Sequence, residues 1–162
     1  MSPSWTIRAF EERDLPFLEQ MSLQAFYSGP QETPPPLAEA MKNPLFACWL
    51  EGWGRAGDAA LVGDDPDGKP AGIAWYRYFS YERRSYGFVH PDVPEVAIGV
   101  RENFRGDGLG TALLRALADH ARSCGVERLS LSVDAANVAR RLYAREGFRE
   151  AGVIMLIDLA LK

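Results

Sequence analysis

Cysteine is scarce in this sequence, and the spacing of its cysteines argues against two common kinds of stabilised site. Cys48 and Cys124 lie far apart, and neither belongs to a CxxC pair or stands beside a cluster of histidines. A structural zinc site needs such spacing, and a disulfide-stapled domain needs more cysteines. We therefore expect no bound metal and a protein of a reduced, cytoplasmic compartment.

Excess positive charge and long apolar runs are also missing. The chain has 18 Lys and Arg residues against 22 Asp and Glu residues, which gives a net charge of −4. A negative chain has no general electrostatic attraction to nucleic acid or to an anionic membrane surface. No stretch approaches the roughly 18 apolar residues of a membrane span, and residues 1–10 lack the features of a secretory signal. We expect neither nucleic acid nor membrane among the partners.

The chain does contain enough apolar material for a core. Hydrophobic residues make up 47% of its 162 residues, and charged residues make up 25%. A chain of this length commonly folds around one core, and this composition differs from that of disordered proteins. We predict a single domain over residues 1–162.

The first half of the sequence predicts a strand, two helices and a hairpin. Apolar and polar residues alternate at its start, and Asp14 before Pro16 is typical of the N-cap of a helix. Turn-forming residues at 64–68 separate two apolar runs, as in an antiparallel hairpin. In chain order we expect a strand over 5–10, a helix from Asp14, a short helix ending by Asn43, and strands over 59–63 and 72–79.

The second half predicts a βαβ unit followed by a helix and a strand. Leucines and alanines recur at helical spacing after Leu109, which indicates a helix packed on a sheet. Gly147 fits the left-handed residue that commonly ends a helix. The expected elements are a strand over 95–100, a helix from Leu109 to about Ser123, a strand over 129–133, a helix over 137–146 and a strand over 153–161.

Three glycines lie where a predicted strand leads into the predicted helix that starts at Leu109. They stand at positions 106, 108 and 110, and Arg105 precedes them. The first amides of a helix have no partner inside the helix, and the helix dipole places partial positive charge there. Because glycine has no Cβ atom, an anion can approach these amides closely. The loop therefore predicts a phosphate site, with a tight turn that binds nothing as the alternative.

Two familiar phosphate-binding motifs do not fit this loop. A P-loop needs Gly-Lys-Ser/Thr after its glycines, and that run is absent. A dinucleotide-binding loop needs a further glycine where Thr111 or Leu113 stands, and it turns almost at once after its strand, whereas Val100 and Gly106 are separated by five residues. Asp134 lies where a ribose-binding acid is expected, but the glycine spacing argues against that fold.

The glycine loop belongs to a longer pattern. Its parts, in chain order, are Glu95–Val100, Arg105-x-x-Gly108-x-Gly110 and Asn137…Tyr143…Gly147-Phe148. This pattern resembles the acetyl-CoA-binding core of the GNAT superfamily of N-acetyltransferases. The resemblance implies an α/β (α+β) fold with a mixed, mostly antiparallel central sheet flanked by helices. It also implies acetyl-CoA as cosubstrate and transfer of an acetyl group to a primary amine of a small molecule or peptide.

The resemblance carries binding roles onto individual residues. The loop amides of such proteins bind the CoA pyrophosphate, and the strand before the loop pairs with the pantetheine arm. The implied pyrophosphate residues are Arg105, Gly106, Gly108, Gly110 and Thr111, and the implied pantetheine residues are Ile98, Val100 and Asn137. For Asn137 a plain N-cap is the alternative, and Asp134 competes for that position.

Two residues are implied in proton transfer. Tyr143 matches a tyrosine that protonates the departing CoA thiolate, and a core tyrosine is its alternative. Glu95 is the candidate base for the acceptor amine, with a solvated acid at a strand start as the alternative. His90 is a second candidate base, and a water chain is a third. No cysteine lies in the motifs as a nucleophile, so direct transfer is expected.

The sequence leaves several residue roles, the rival functions and the acceptor undecided. Residues 52–58 contain Trp53, Arg55 and Asp58, and they either line the acceptor pocket or form a rigid turn. Arginines 140, 141 and 145 either meet the 3′-phosphate of CoA or form a solvated face. An acyl-CoA-binding sensor without turnover and a nucleotide-binding oxidoreductase are the rival functions. Assembly as a homodimer is also open, as is the identity of the acceptor.

Overall fold

One seven-stranded sheet runs through the protein, with helices against both of its faces. The computed structural model describes residues 5–29, 32–133, 137, 139–151 and 154–159. The strands are β1 (Thr6–Ala9), β2 (Ala59–Asp64), β3 (Pro70–Arg77), β4 (Glu95–Val100), β5 (Arg128–Ser132), β6 (Arg149–Ala151) and β7 (Ile154–Asp158). The helices are α1 (Leu15–Phe26), α2 (Leu37–Ala40), α3 (Pro44–Ala47), α4 (Leu109–Ser123) and α5 (Ala139–Arg145).

The strand order in the sheet is β1-β2-β3-β4-β5-β7-β6. The pair β4–β5 is parallel, and the other neighbouring strands pair antiparallel. This parallel pair follows from the βαβ unit, because α4 carries the chain from the end of β4 back to the start of β5. The predicted mixed, mostly antiparallel sheet is confirmed.

The contact between β4 and β5 is short. Glu95 and Ser130 are the registered pair of these strands, and the amide of Ser130 donates to the carbonyl of Pro94. On its other edge β4 pairs with β3 along its whole length, up to Val100 opposite Gly72. Among the described residues, the C-terminal half of β4 therefore has a free edge on the β5 side.

The two faces of the sheet carry separate cores. Ile98 of β4 packs against a cluster of buried residues that contains Leu113, and we call this cluster the α4 core. Ala97 packs against a second cluster, which contains Met21, and we call it the α1 core. Side chains alternate between the faces of a strand, so Glu95 lies on the same side as Ala97.

Helix α4 holds the site in place through its apolar stripe. The expected helical spacing is confirmed, because the side chains that α4 buries are Leu109, Leu113, Leu114, Leu117, Ala118 and Ala121. Full burial of one leucine is worth about 1.5–3 kcal/mol, so this stripe anchors the N-terminus of α4 firmly on the sheet. At 15 residues α4 is the longest described helix. No described helix is long and apolar enough to cross a bilayer.

The prediction that the Asp14 side chain caps α1 is wrong. Asp14 stands at the N-cap position, but it makes no capping bond to α1. Its carboxylate instead accepts two hydrogen bonds from Arg8, at 2.7 and 2.8 Å, and one from the amide of Glu11. Bonds to a guanidinium are stronger than a neutral cap, and they hold the pKa of Asp14 below its usual value.

Three short elements depart from the predictions. Helix α2 ends at Ala40, and Asn43 caps the separate helix α3 through a bond from the amide of Leu45. Strand β6 was not predicted, and the expected last strand begins outside the described residues at Val153. Elements of three or four residues show no full period in a sequence, so their bounds depend on tertiary contacts.

Candidate active site

The glycine loop leads directly into α4. Gly106 has a φ of +82° and Gly108, the N-cap of α4, has a φ of +87°. Residues with a Cβ atom rarely adopt this conformation, so both glycines are required by the backbone path. The N-cap makes no side-chain hydrogen bond to the helix. The amides at 109–111 therefore have no partner within α4 and stay available to an anion.

The space around the loop fits a phosphate group. Among the described residues, a Cβ atom at Gly106 would meet no other atom within 4 Å, and one at Gly108 would meet the ring of Trp5 at 3.7 Å. The described residues thus leave the first turn of α4 open on the side of the loop. An open helix N-terminus lined by glycine has the geometry and the dipole that bind phosphate groups.

Arg105 ties the loop to the end of β4. Its Nε donates to the carbonyl of Val100 at 3.0 Å, and its side chain is otherwise exposed. The guanidinium therefore stands over the point where the free edge of β4 meets the loop. Its positive charge adds to that of the helix N-terminus at this point.

Several of the predicted CoA-binding residues come together. A Cβ atom at Gly110 would lie 3.8 Å from Val100, 3.9 Å from Ile98 and 3.7 Å from Leu142 of α5. The loop, the free part of β4 and α5 therefore meet at one place. Thr111, in the first turn of α4, is half-buried beside them.

Asn137 acts as a helix cap. Its side-chain oxygen accepts a hydrogen bond from the amide of Ala139 at 2.9 Å, at the start of α5. Asn137 thus has the N-cap role that its position in the sequence allowed beside contact with pantetheine. Its competitor for that position, Asp134, lies outside the described residues.

Tyr143 is buried in the α4 core at 8% exposure. Its ring meets that of Phe148 edge to face, with centroids 5.9 Å apart. After α5 the chain turns at Gly147 (φ +97°), and the amide of Phe148 donates to the carbonyl of Tyr143. The Tyr…Gly-Phe spacing is therefore also the spacing of a helix C-cap. Burial raises the pKa of Tyr143, so the phenol keeps its proton.

Glu95 is a buried acid that forms no ion pair with any described residue. It is 3% exposed, and its carboxyl accepts a hydrogen bond from the amide of Gly87. Among the described residues, its Oε1 has no hydrogen-bond partner. Burial raises the pKa of Glu95 to about 8. Such burial is incompatible with the alternative of a solvated acid at a strand start.

Sequence reasoning missed two neighbours of Glu95. A Cβ atom at Gly87 would lie 2.8 Å from the Glu95 carboxyl and 2.7 Å from the amide of Ser132, so only glycine can cover this junction. Ser130, the registered partner of Glu95, is fully buried, and within the described part of the chain its hydroxyl has no hydrogen-bond partner. A serine between two leucines of a buried strand was the available clue.

His90 is placed less favourably than Glu95 for proton transfer. Its side chain is 50% exposed, and its Nδ1 accepts a hydrogen bond from the amide of Asp92. It stands in the loop between β3 and β4, and unlike Glu95 it is not enclosed by the protein.

Residues 52–58 form a rigid turn around Arg77. This arginine is fully buried, and all five of its N–H groups have acceptors: two on the carboxylate of Asp58 and three on backbone carbonyls. Trp53 stacks on the same guanidinium at 5.3 Å. Trp53 and Asp58 thus contact the buried Arg77, whereas the guanidinium of the exposed Arg55 donates to the carbonyl of Tyr78.

The two predicted proton-transfer residues lie on opposite faces of the sheet. Tyr143 belongs to the α4 core, and Glu95 has the orientation of the α1 core. The gap between β4 and β5 begins directly after the Glu95–Ser130 pair. Glu95 therefore lies at the start of this gap.

On α5, Arg140 forms an ion pair with Glu150.

The sequence of this chain is similar to those of known proteins over most of its length. The sequence model of the acetyltransferase (GNAT) family matches residues 17–148. The chain is 31% identical over 140 residues to mycothiol acetyltransferase of Propionibacterium freudenreichii, covering 86% of this chain and 41% of the relative. It is 32% identical over 122 residues to the L-methionine sulfoximine/L-methionine sulfone acetyltransferase of Pseudomonas aeruginosa, covering 75% of this chain and 64% of the relative. The chain thus spans less than two thirds of each.

Solved structures share the fold over nearly the whole chain. Ribosomal-protein-alanine N-acetyltransferase from Brucella melitensis superposes with a TM-score of 0.70 at 26% identity, covering 94% of this chain and 99% of that one. The structure of yncA from Salmonella typhimurium, solved with acetyl-CoA, superposes with a TM-score of 0.72 at 21% identity, covering 96% and 94%. The fold class predicted from the sequence is confirmed by these superpositions.

Proposed function

Because the chain belongs to the acetyltransferase (GNAT) family, we propose that it is an acetyl-CoA-dependent N-acetyltransferase that acts directly on a primary amine of a small molecule or peptide. The observation that carries this proposal is the open N-terminus of α4 beside the free edge of β4. The first feature suits a pyrophosphate and the second suits an extended amide-containing arm.

Acetyl-CoA supplies the acetyl group as a thioester, whose C–S bond is replaced by the C–N bond of the product amide. An acceptor that starts as an ammonium loses two protons in the reaction. One is taken up by the sulfur, which leaves as the thiol of CoA, and the other is released to solvent. The protein must therefore bind the pyrophosphate and pantetheine, accept one proton and donate another. In our proposal the residues of the loop and of β4 do the binding, and these are Arg105, Gly106, Gly108, Gly110, Thr111, Ile98 and Val100.

Glu95 accepts the proton of the amine in this proposal. Primary amines are mostly protonated at neutral pH, so a base must remove a proton before or during their attack on the thioester. A carboxyl with its pKa raised to about 8 is a far better proton acceptor than an ordinary glutamate. Its Oε1, without a partner among the described residues, is the atom that would receive the proton, directly or through a water molecule.

Tyr143 donates the second proton. Its phenol stays protonated because burial, the cause of its raised pKa, disfavours the phenolate. A proton donor beside the leaving sulfur lets CoA depart as a neutral thiol. Asn137 supports this arrangement by capping α5, the helix that carries Tyr143.

A matched pair of glycine variants tests the CoA site. Gly106 (φ +82°) and Gly125 (φ +80°) are equally strained positions, and a Cβ atom at either would meet nothing within 4 Å. Gly106 lies before the N-terminus of α4 and Gly125 lies after its C-terminus. We expect Gly106→Val to weaken CoA binding in calorimetry about tenfold or more, or about 1.4 kcal/mol. Gly125→Val should leave the affinity within twofold.

Equal CoA affinities of the two variants would contradict the assignment of the loop. Thiol release from acetyl-CoA with a panel of amines then tests turnover. A protein that binds CoA tightly but releases no thiol with any amine would be a sensor and not an enzyme. Detection of the acetylated amine by mass spectrometry distinguishes transfer from simple hydrolysis.

A further inference from the structure

A cavity of about 270 Å³ opens at the end of β3, outside the proposed CoA site. It is lined by Cys48, Arg55, Tyr78, Phe79, Ser80 and Arg83. Ligand pockets usually exceed roughly 300 Å³, so this cavity suits a small molecule or one end of a larger one. Two of its six lining residues are arginines and none is acidic.

The positive charge of this cavity is incompletely balanced. Arg55 donates to the carbonyl of Tyr78, and the nearest carboxylate, that of Asp58, is 3.9 Å away. Asp58 is already engaged by two hydrogen bonds from the buried Arg77. The second lining arginine, Arg83, forms an exposed ion pair with Glu51. Among the described residues, these ion pairs join three guanidinium groups to two carboxylates, so the positive charges in the pairs exceed the negative charges by one.

The electrostatics of Arg55 agree with this count. Its pKa is lowered, first by burial and then by the charge of Arg77. Burial is the larger cause of the lowered pKa, and the second cause, the charge of Arg77, is one that a bound anion would offset. Carboxylates and guanidinium groups form short, charge-assisted hydrogen bonds, often in pairs.

The cavity lies close to Glu95. Arg77 stands opposite Glu95 in the β3–β4 pair, and its Nη1 donates to the carbonyl of Cys48. The thiol of Cys48 has its pKa raised to about 11, by burial and next by the charge of Glu95. Cys48 therefore lines the cavity and also lies within electrostatic reach of the proposed base.

We propose that this cavity binds the carboxylate of the acceptor, so that the substrates are small amino acids whose amine is directed toward Glu95. The inference rests on the proposed acetyltransferase function and names its substrate class. A free amino acid carries both charges within a few bonds of each other. Polyamines have no carboxylate, and in a peptide the terminal carboxylate lies far from the terminal amine, so neither satisfies both ends.

The test compares acceptors that differ in the carboxylate. L-Leucine is measured beside L-leucinamide and 3-methylbutylamine, and L-methionine beside its amide and its decarboxylated amine. Rates are divided by the fraction of unprotonated amine, because the three types differ in amine basicity. We expect kcat/KM of an acid to exceed that of its uncharged partners about tenfold or more, as one charge-assisted hydrogen bond allows.

Two variants and a control locate the effect. Arg55→Gln and Arg83→Gln should each raise KM for the amino acid about tenfold, the loss expected for one such bond, with smaller changes for the amides. Arg13→Gln is the control, since Arg13 also forms an exposed ion pair, with Glu11, but stands in the turn before α1 and does not line the cavity. We expect Arg13→Gln to keep both KM values within twofold.

The outcomes separate this inference from the function on which it rests. If amides and amines are acetylated as well as the acids, or if the preference for acids survives both arginine variants, the carboxylate site is wrong and the acetyltransferase stands. If CoA binds but no amino acid is acetylated, the substrate class is wrong. If CoA and acetyl-CoA do not bind, the proposed function fails, and this inference fails with it.

Discussion

Two buried acids on one side of the sheet have opposite surroundings. The carboxylate of Asp58, 4% exposed, receives two hydrogen bonds from Arg77 and two from the amides of Gly54 and Arg55. Glu95, 3% exposed, receives one from the amide of Gly87 and forms no ion pair within the described part of the chain. A buried charge persists only where partners compensate its desolvation. The partners of Asp58 therefore stabilise its charge, whereas Glu95 has the raised pKa that its proposed role as a base requires.

Substitution of Asp58, the counter-ion of the buried Arg77, should give the largest free-energy change of these predictions. We expect Asp58→Asn to lower the free energy of unfolding by about 3–5 kcal/mol, because Arg77 would keep a buried charge without its counter-ion. The measurement is urea denaturation at pH 7. The matched control is Glu11→Gln, which removes an exposed ion pair with Arg13 and should cost at most about 1 kcal/mol. Similar midpoints for the two variants would remove the distinction drawn for Asp58.

Glu95→Gln should act in the opposite direction on stability. The pKa of Glu95 is raised from 4.5 to about 8 on folding, so the folded state holds a proton that the unfolded state loses. The contribution of Glu95 to stability is therefore complete below pH 4.5 and is lost as the pH rises to about 8. We expect the variant to match the wild type at pH 4.5 and to be more stable at pH 9 in denaturation experiments. A lower stability of the variant at pH 9 would show that Glu95 has a partner like that of Asp58.

The same substitution should slow catalysis. Because glutamine cannot accept a proton, we expect Glu95→Gln to lower kcat/KM about 100-fold, or about 2.7 kcal/mol. In the wild type kcat/KM should rise with pH through an apparent pKa near 8, and the variant should lose this limb. Stopped-time thiol assays between pH 6 and pH 10, with an acceptor of known basicity, measure both. An unchanged rate and pH profile would assign the base to water or to another side chain.

Tyr143→Phe should give the smallest of these effects. Removal of the phenol hydroxyl should reduce kcat about tenfold or more and leave CoA affinity nearly unchanged. Because Tyr143 lies in the α4 core, thermal denaturation must accompany the kinetics. The contact with Phe148 is kept by the new ring, so stability should hold. A kcat within twofold of the wild type, with chemistry rate-limiting, would return Tyr143 to a purely structural role.

The second half of the chain was predicted well because its determinants are local. Gly106 and Gly108 have the left-handed backbone that the loop requires, and Gly147 ends α5 as expected. The helix α4 begins at Leu109 as predicted. Turns, caps and helical stripes depend on residues within a few positions of each other, so a sequence displays them directly. The roles assigned to the site residues stay predictions.

The first half was predicted less well because its determinants are distant in the chain. Arg77 finds Asp58 across 19 positions, and Arg8 finds Asp64 across 56. Nothing in the local sequence distinguishes such arginines from solvated ones. For the same reason the pattern at Asp14 predicted a helix cap, while the structure gives that carboxylate to Arg8.

The sequence by itself determined the family, the order of the main strands and helices and the glycine loop, since these depend on short-range spacing. Only the tertiary structure decided which buried acid is neutralised and which is not. The face that Glu95 takes, its cover by Gly87 and its pairing with Ser130 follow from the register of separate segments. A shift of one residue in that register would turn every side chain of the strand to the other face, and local sequence does not specify it.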